Sequence, residues 1–365
     1  MQRSMVRHVV HLVLLLLLLA GCARGPAPAL PPAPTATPAP TPISTAAPWL
    51  KRPPAPLTLP ADEAPHDVLT EWWYYTGHLE ATGGARYGFE FVVFQVRLGE
   101  AGPAYISHFA VTDIDRQRFR FDQRQQLGAQ PQPAGGGFAL TLGDWQMTGR
   151  DGQDTLRARM ADYAVDLTLT ALKPPALHLG SGFISFGPAG DSYYYSRTRL
   201  AVRGTLVDGG TPLPVTGVAW FDKQWGDFVN VKGGGWDWYA LQLSDNTEIM
   251  LFDVRDPFGA STIVYGSYIT ATGAVEDLGA GAFTVEATGQ WTSPRSGATY
   301  PSGWRVRLPR YQLDLTVTPV LPDQELDTRP TTGIIYWEGA VAVSGERAGR
   351  PVTGQGYVEL TGYAR

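Results

Sequence analysis

Two short stretches carry residue types from which acid–base chemistry could be built. Asp222-Lys223-Gln224-Trp225 sets a carboxyl, an amine and an indole close together, and Asp253 interrupts an apolar run of Met250, Leu251, Phe252 and Val254. A carboxyl in an apolar, tryptophan-lined pocket has a raised pKa, so it can give a proton to carbon and a carboxylate can then take one from water. A tryptophan face can stabilise a developing carbocation. Those are the demands of adding water to an alkene. The plainer alternative is that Asp222 and Lys223 pair with each other at a strand end. For Asp253 the alternatives are a cavity-facing carboxyl and a pair with Arg255, which strict alternation puts on the same face. Asp222, Lys223 and Asp253 are therefore the catalytic candidates.

Glu71, Trp73, Tyr75, His108, Tyr195, Trp225, Trp238, Trp337 and Glu338 are the candidate ligand contacts. Each has an architectural alternative. Tryptophans near a strand start plug barrels, a lone histidine serves as a satisfied core group, and a duplicated tyrosine suggests framework. Unduplicated Trp337 and Glu338 are the better contacts on that ground. Other chemistries lack support. The histidines beyond the leader (His66, His78, His108, His178) show no metal-ligand spacing, so no metal is expected. No Gly-x-Ser-x-Gly elbow, phosphate loop or dinucleotide fingerprint occurs, so neither a serine hydrolase nor a bound cofactor is expected.

The elements that must position these residues are written twice. Phe94-Gln95-Val96-Arg97 returns as Phe252-Asp253-Val254-Arg255, and Pro214-Val215-Thr216-Gly217 as Pro351-Val352-Thr353-Gly354. Tyr195 and Tyr336 each precede a valine (Val202, Val343) by the same interval, and Trp220 with Asp222 matches Tyr357 with Glu359. The period is that of a whole domain, so a tandem duplication is expected, with a ligand site between the halves. Trp72 to Leu79 and Tyr87 to Arg97 flank Gly83-Gly84 as a hairpin, and Trp238 to Leu243 and Glu248 to Arg255 flank Asp245-Asn246 likewise. Other alternating runs are Arg118–Asp122, Phe138–Leu142, Ala164–Ala171, Leu200–Leu206, Trp304–Leu308 and Gln312–Val317. Turn signals at short intervals and the near absence of helical periodicity predict an all-β chain of two antiparallel barrels, roughly eight strands each.

Hydrophobic residues make up 44% of the 365, enough for two cores, and the 42 Gly and 30 Pro suit many turns. The formal net charge of −5, with no basic run among aromatics, argues against nucleic acid. Residues 1–21 read as a signal peptide: Arg3 and Arg7, an apolar run from Val9 to Leu19, then a small-residue cleavage site. The only cysteine, Cys22, closes Leu19-Ala20-Gly21-Cys22, which resembles the bacterial lipobox and implies export and lipid anchoring at Cys22. Residues 22–65, rich in Pro, Ala and Thr, read as a semi-extended tether. The barrels are expected over 66–230 and 231–365.

Six motifs carry a family resemblance: Glu71-Trp72-Trp73-Tyr74-Tyr75-Thr76-Gly77-His78-Leu79, His108-Phe109-Ala110-Val111-Thr112-Asp113, Tyr194-Tyr195-Ser196-Arg197, Trp220-Phe221-Asp222-Lys223-Gln224-Trp225-Gly226, Gly235-Trp236-Asp237-Trp238 and Tyr336-Trp337-Glu338-Gly339. Together they resemble the AttH-like, carotenoid 1,2-hydratase-like family of tandem lipocalin-like domains, over essentially everything after the tether. The resemblance implies two lipocalin-like barrels, a pocket near their junction and a large, apolar, polyene-like ligand. Hydratase members usually carry a histidine where Lys223 stands, so carotenoid-type hydration is less expected here. The candidate functions are a binder of an isoprenoid or polyene-like molecule at the cell envelope, a cofactor-free hydratase or isomerase, and a structural envelope protein. The oligomeric state is not legible.

Overall fold

The computed structural model describes residues 54–97, 99, 102–186, 190–228 and 234–364. The leader, Cys22 and the tether up to residue 53 lie outside the described residues. Period-two patterning produces strands throughout. The first half forms β1 (Thr70–Ala81), β2 (Arg86–Arg97), β3 (Pro103–Asp113), β4 (Arg118–Leu127), β5 (Phe138–Leu142) and β6 (Trp145–Arg150). It continues through β7 (Gln153–Arg159), β8 (Tyr163–Ala171), β9 (Ala176–Leu177), β10 (Phe183–Ser185), β11 (Asp191–Asp208) and β12 (Thr211–Gly226). They make one antiparallel sheet in the order β4-β3-β2-β1-β12-β11-β8-β7-β6-β5, with β9 and β10 on β11. The sheet curls into a nearly closed barrel, and Arg124 on β4 reaches across to Leu142 O of β5 at 3.3 Å.

The second half repeats the plan with β13 (Gly235–Leu243), β14 (Glu248–Arg255), β15 (Ser261–Ile269), β16 (Val275–Leu278), β17 (Thr284–Ala287) and β18 (Gln290–Thr292). Then come β19 (Thr299–Pro301), β20 (Trp304–Leu308), β21 (Leu313–Pro319), β22 (Glu325–Asp327), β23 (Ile335–Arg347) and β24 (Arg350–Leu360). Its sheet runs β16-β15-β14-β13-β24-β23-β21-β20-β17, with β22 on β23, and β18 pairs only with β19. The fold is all-β, as the alternation predicts. The first sheet has 12 strands rather than about eight, two of them the short pieces β9 and β10 that pair with β11 beside β8.

Alternation splits each central strand between two cores. Trp73, Tyr75 and Leu79 of β1 point into the first barrel with Phe89, Trp145 and Phe221. Their neighbours Tyr74, Val92, Tyr194 and Trp220 point outward, against Trp238, Met250, Phe252 and Tyr357 of the second barrel. Both faces are therefore buried, which is why these strands read as nearly continuous apolar runs. Side chains of the second barrel press so close to the first that a Cβ on Gly88 would lie 2.6 Å from Tyr357 Oη.

Register fixes the duplication. Asp222 lies between Tyr74 and Ser196, and Glu359 between Trp238 and Glu338, so these are equivalent triplets. Two landmarks shift. A bulge between Arg197 and Leu200 adds a residue, so Tyr194, not Tyr195, corresponds to Tyr336. Trp72 faces Phe94 while Trp236 faces Val254, so the first hairpin is longer and Phe252 occupies the place of Val92. The two halves meet about a local two-fold axis. Tyr74 meets its equivalent Trp238 edge-on, ring centres 5.4 Å apart. His78 Nε2 donates to Gly356 O at 2.9 Å, and the equivalent Gln242 Nε2 donates to Ala219 O at 3.0 Å.

The tether expected up to residue 65 ends earlier, and the folded unit begins at Ala55. Leu57 and Leu59 pack on the first core. The Glu63 carboxylate accepts from Arg197 at 2.7 Å and from Asp151 N at 2.8 Å, and Glu63 O accepts from Trp73 Nε1 at 2.9 Å. Proline-rich composition hid two leucines and a buried acid that dock the segment as a strap.

Candidate functional site

Asp222 and Lys223 are adjacent on β12 and therefore face opposite ways. They do not pair, and they do not share a site. Lys223 points into the first barrel, where its ammonium pairs with Glu71. Its Nζ also lies 3.7 Å from the ring centre of Trp73 and 4.9 Å from that of Trp225. Glu71 accepts from His66 N and, at the ring, His66 Nδ1, each at 2.7 Å, and His66 stacks on Trp225 at 4.4 Å. Burial pulls the Lys223 amine down to about 8 against the pull of Glu71. Tyr75 and Tyr195 lie in the same interior, Tyr75 donating to Asp154 at 2.9 Å. Glu71, Trp73, Tyr75, Tyr195, Trp225 and Lys223 thus form a packed polar plug inside the first barrel.

Asp222 points into the junction. Its Oδ1 accepts from Ser196 Oγ at 2.5 Å and Trp220 Nε1 at 2.6 Å, and its Oδ2 from Tyr194 Oη at 2.5 Å. Glu338 accepts from Tyr74 at 2.6 Å, Glu359 from Trp236 at 2.7 Å and Glu90 from Tyr336 at 3.3 Å. Among the described residues every donor to these four carboxyls is a hydroxyl or an indole, and none is a cation. One oxygen each of Glu90 and Glu338 has no partner among the described residues. Burial pushes Asp222 up to about 6, Glu359 to about 7 and Glu90 to about 8, and holds Glu338 well above the usual carboxylate range. His108, bonded to Tyr336 at 2.8 Å, is pushed down by burial to about 3 and stays neutral. Trp238 donates to Tyr194 at 3.0 Å. The pocket expected at the junction is only a cleft of about 10 Å³ beside Trp220 and Tyr357. Interdigitated aromatic side chains fill the space that pattern alone cannot measure.

A ligand-sized space lies elsewhere, in the mouth of the second barrel. A cavity of about 300 Å³ is walled by Tyr239, Leu251, Phe252, Val264, Phe283 and Trp304. Asp253 and Asp237, cross-strand neighbours on β14 and β13, lie on its wall. Asp253 does point into a cavity, and its Oδ2 accepts from Ser261 at 2.7 Å. Arg255 turns instead to Asp237, at 3.0 Å, and Tyr363 Oη donates to both Asp237 oxygens at 3.0 Å. Burial outweighs the Arg255 charge and pushes Asp237 up to about 6. Trp337 is away from both places, in the second core, donating to Pro322 O at 2.7 Å. The candidates thus fall in four places: a plug, a junction, a mouth and, for Trp337, the second core. Asp237, Glu90 and Tyr363 were missed. Asp237 had a signal, standing between two tryptophans in Gly235-Trp236-Asp237-Trp238; Glu90 and Tyr363 had none.

With this geometry in hand, comparisons place the chain. A family profile described as AttH-like matches residues 50–363. The chain is similar to the crystal structure of an AttH-type protein from Nitrosomonas europaea, at 32% identity and a TM-score of 0.77, over 86% of this chain and 99% of that one. Kievitone hydratase from Nectria haematococca shares the fold at 18% identity and a TM-score of 0.66, over 80% of this chain and 88% of that one. CghA shares it at 13% identity and a TM-score of 0.52, with the same coverage. No curated protein matches the sequence.

Proposed function

The chain belongs to the AttH-like family, and from that premise we propose that it binds a large apolar molecule, of isoprenoid or polyene type, in the mouth of its second barrel. The observation that carries this reading is the 300 Å³ cavity with aromatic and aliphatic walls and two acids at one side. Its size lies at the lower end of ligand pockets, so a long ligand would leave part of its length outside. Native mass spectrometry with organic extraction of the purified chain tests it. An apolar molecule should be released from the wild type. Val264→Trp, which puts an indole into the mouth, should weaken its rebinding about tenfold or more, a loss of ~1.4 kcal/mol. Unchanged affinity in that variant would refute the location.

The acid pair favours a second reading, acid–base chemistry without a cofactor. Protonated Asp237 would give its proton to an alkene carbon, water would add to the cation, and the Asp253 carboxylate would take the proton that water releases. The net change is addition of H and OH across the double bond. Asp237→Asn should then abolish product formation while sparing affinity; persisting turnover excludes the role.

The leader and the lipobox-like Leu19-Ala20-Gly21-Cys22 support export and anchoring of the chain to the cell-envelope membrane through Cys22. Among the described residues no helix is long and apolar enough to cross a membrane. Cys22→Ala should move the protein from the membrane fraction to the soluble one; if it stays with the membrane, Cys22 is not the anchor.

A further inference from the structure

The junction is built differently on the two sides of its local two-fold axis. On one side a continuous line of hydrogen bonds leaves buried Asp222. Ser196 Oγ donates to Asp222 at 2.5 Å, and Ser196 Oγ bonds His178 Nε2 at 2.7 Å. His178 Nδ1 bonds Ser267 Oγ at 2.9 Å, Ser267 Oγ bonds Tyr265 Oη at 2.8 Å, and Tyr265 reaches Asp277 at 2.5 Å. Asp222, Ser196, His178 and Ser267 are all buried, whereas Asp277 is exposed. The line crosses from the first barrel to the second and ends in water.

The duplication supplies an internal control. Strand register makes Leu326 the counterpart of His178, Ala110 that of Ser267 and Phe121 that of Asp277. Those residues form an apolar cluster with Tyr336 and Phe119. At these three positions the other side carries hydrocarbon, while the counterpart of Tyr265 is His108, bonded to Tyr336 at 2.8 Å. The architecture therefore does not require polar groups at His178, Ser267 and Asp277. Burying a row of polar groups costs stability unless each is bonded, and here each is.

We propose that Ser196, His178, Ser267 and Tyr265 form a proton path by which Asp222 exchanges its proton with solvent at Asp277 while the barrels stay joined. Each of the four intermediate groups can both donate and accept. For inward transfer, protonated Asp277 gives its proton to Tyr265 Oη as Tyr265 gives its own to Ser267. Ser267 passes its proton to His178 Nδ1, His178 releases the one on Nε2 to Ser196, and Ser196 gives its proton to the Asp222 carboxylate. One O–H or N–H bond forms for each that breaks. The histidine ends as the other neutral tautomer, and the reverse transfer, when Asp222 releases its proton outward, restores the starting one. Asp222 is suited to such traffic because burial sets it to about 6, within the neutral range. Among the described residues Ser196, Tyr194, Trp220, Glu338 and Glu359 interact with it, and no cation there holds it charged. The proposal does not depend on what the cavity holds.

Rapid-mixing infrared spectroscopy of the full chain after a pH jump across 6 tests it, with the Asp222 carboxyl band assigned as the one missing in Asp222→Asn. Ser267→Ala should slow protonation of Asp222 about tenfold or more while leaving its end point in place, because exchange then waits for local opening. Ser267→Thr, which keeps the hydroxyl, should restore the wild-type rate. Tyr265→Phe interrupts the line at a second point and should slow it likewise, should Ser267→Ala not fold. Wild-type rates in Ser267→Ala or in Tyr265→Phe would overturn the path.

Discussion

Replacing Lys223 with Met lowers the stability of the protein by about 3–5 kcal/mol, read from urea unfolding at pH 7. The side chains of Lys223 and Glu71 are both fully buried and paired inside the first barrel. Removing the ammonium leaves the Glu71 carboxylate beside Trp73 and Trp225 with His66 and Gln95 as its side-chain partners. An uncompensated buried charge is costly, whereas replacing the whole pair by neutral groups of similar volume is close to neutral. Glu71→Gln combined with Lys223→Met should therefore recover most of the loss. If the double variant is as unstable as the single one, the plug is held by shape rather than by charge.

Stability should fall by on the order of 3 kcal/mol as pH rises from 6.5 to 8, through the junction acids. In the folded chain Glu90 keeps its proton up to about 8 and Glu359 to about 7, and Glu338 is held well above the usual carboxylate range. In the unfolded chain all three release it near 4.3. The folded state thus binds more protons across this window, so raising the pH favours unfolding. Glu359 is partly accessible, so screening weakens its share. Buried Asp154, pushed up to about 7, adds to the fall. The window has physical limits. Below 6.5 the neutral His78, His108 and His178, pushed down to about 4, 3 and 3, oppose the trend and make it shallower, because unfolding lets them charge. Above about 8 Lys223 opposes it as well, since the unfolded lysine keeps a proton that the folded one loses. Replacing Glu90, Glu338 and Glu359 with glutamine should flatten the urea midpoint across the window. A wild-type midpoint that holds steady or rises between pH 6.5 and 8 would show that these acids are ionised in the fold.

The strands and the duplication were legible because alternation and landmark order survive in the sequence. Residue equivalence was not. The bulge after Arg197 moves the tyrosine match from Tyr195 to Tyr194, and one extra residue is invisible until the partner strand is known. The opposite orientation of Asp222 and Lys223 follows from period two alone, yet their adjacency invited a single site. Glu90, Asp222, Glu338 and Glu359 sit on four different strands and meet only through packing of one barrel on the other. The place of the cavity depends on side-chain volumes, which decide that Trp220, Trp238 and Tyr357 fill the junction while Val264 and Leu251 leave the second mouth open.

The local two-fold axis says something about origins. His78 on Gly356 and Gln242 on Ala219 are one contact made twice, by equivalent surfaces meeting face to face. That is the isologous contact of a cyclic homodimer. A single-barrel ancestor with this surface would have paired with a copy of itself, and joining two genes end to end would have captured the pair in one polypeptide. In a homodimer every substitution appears twice, once on each side of the axis. After fusion each side drifts alone, which is how one flank of the junction could acquire histidine and serines while the other kept leucine and alanine.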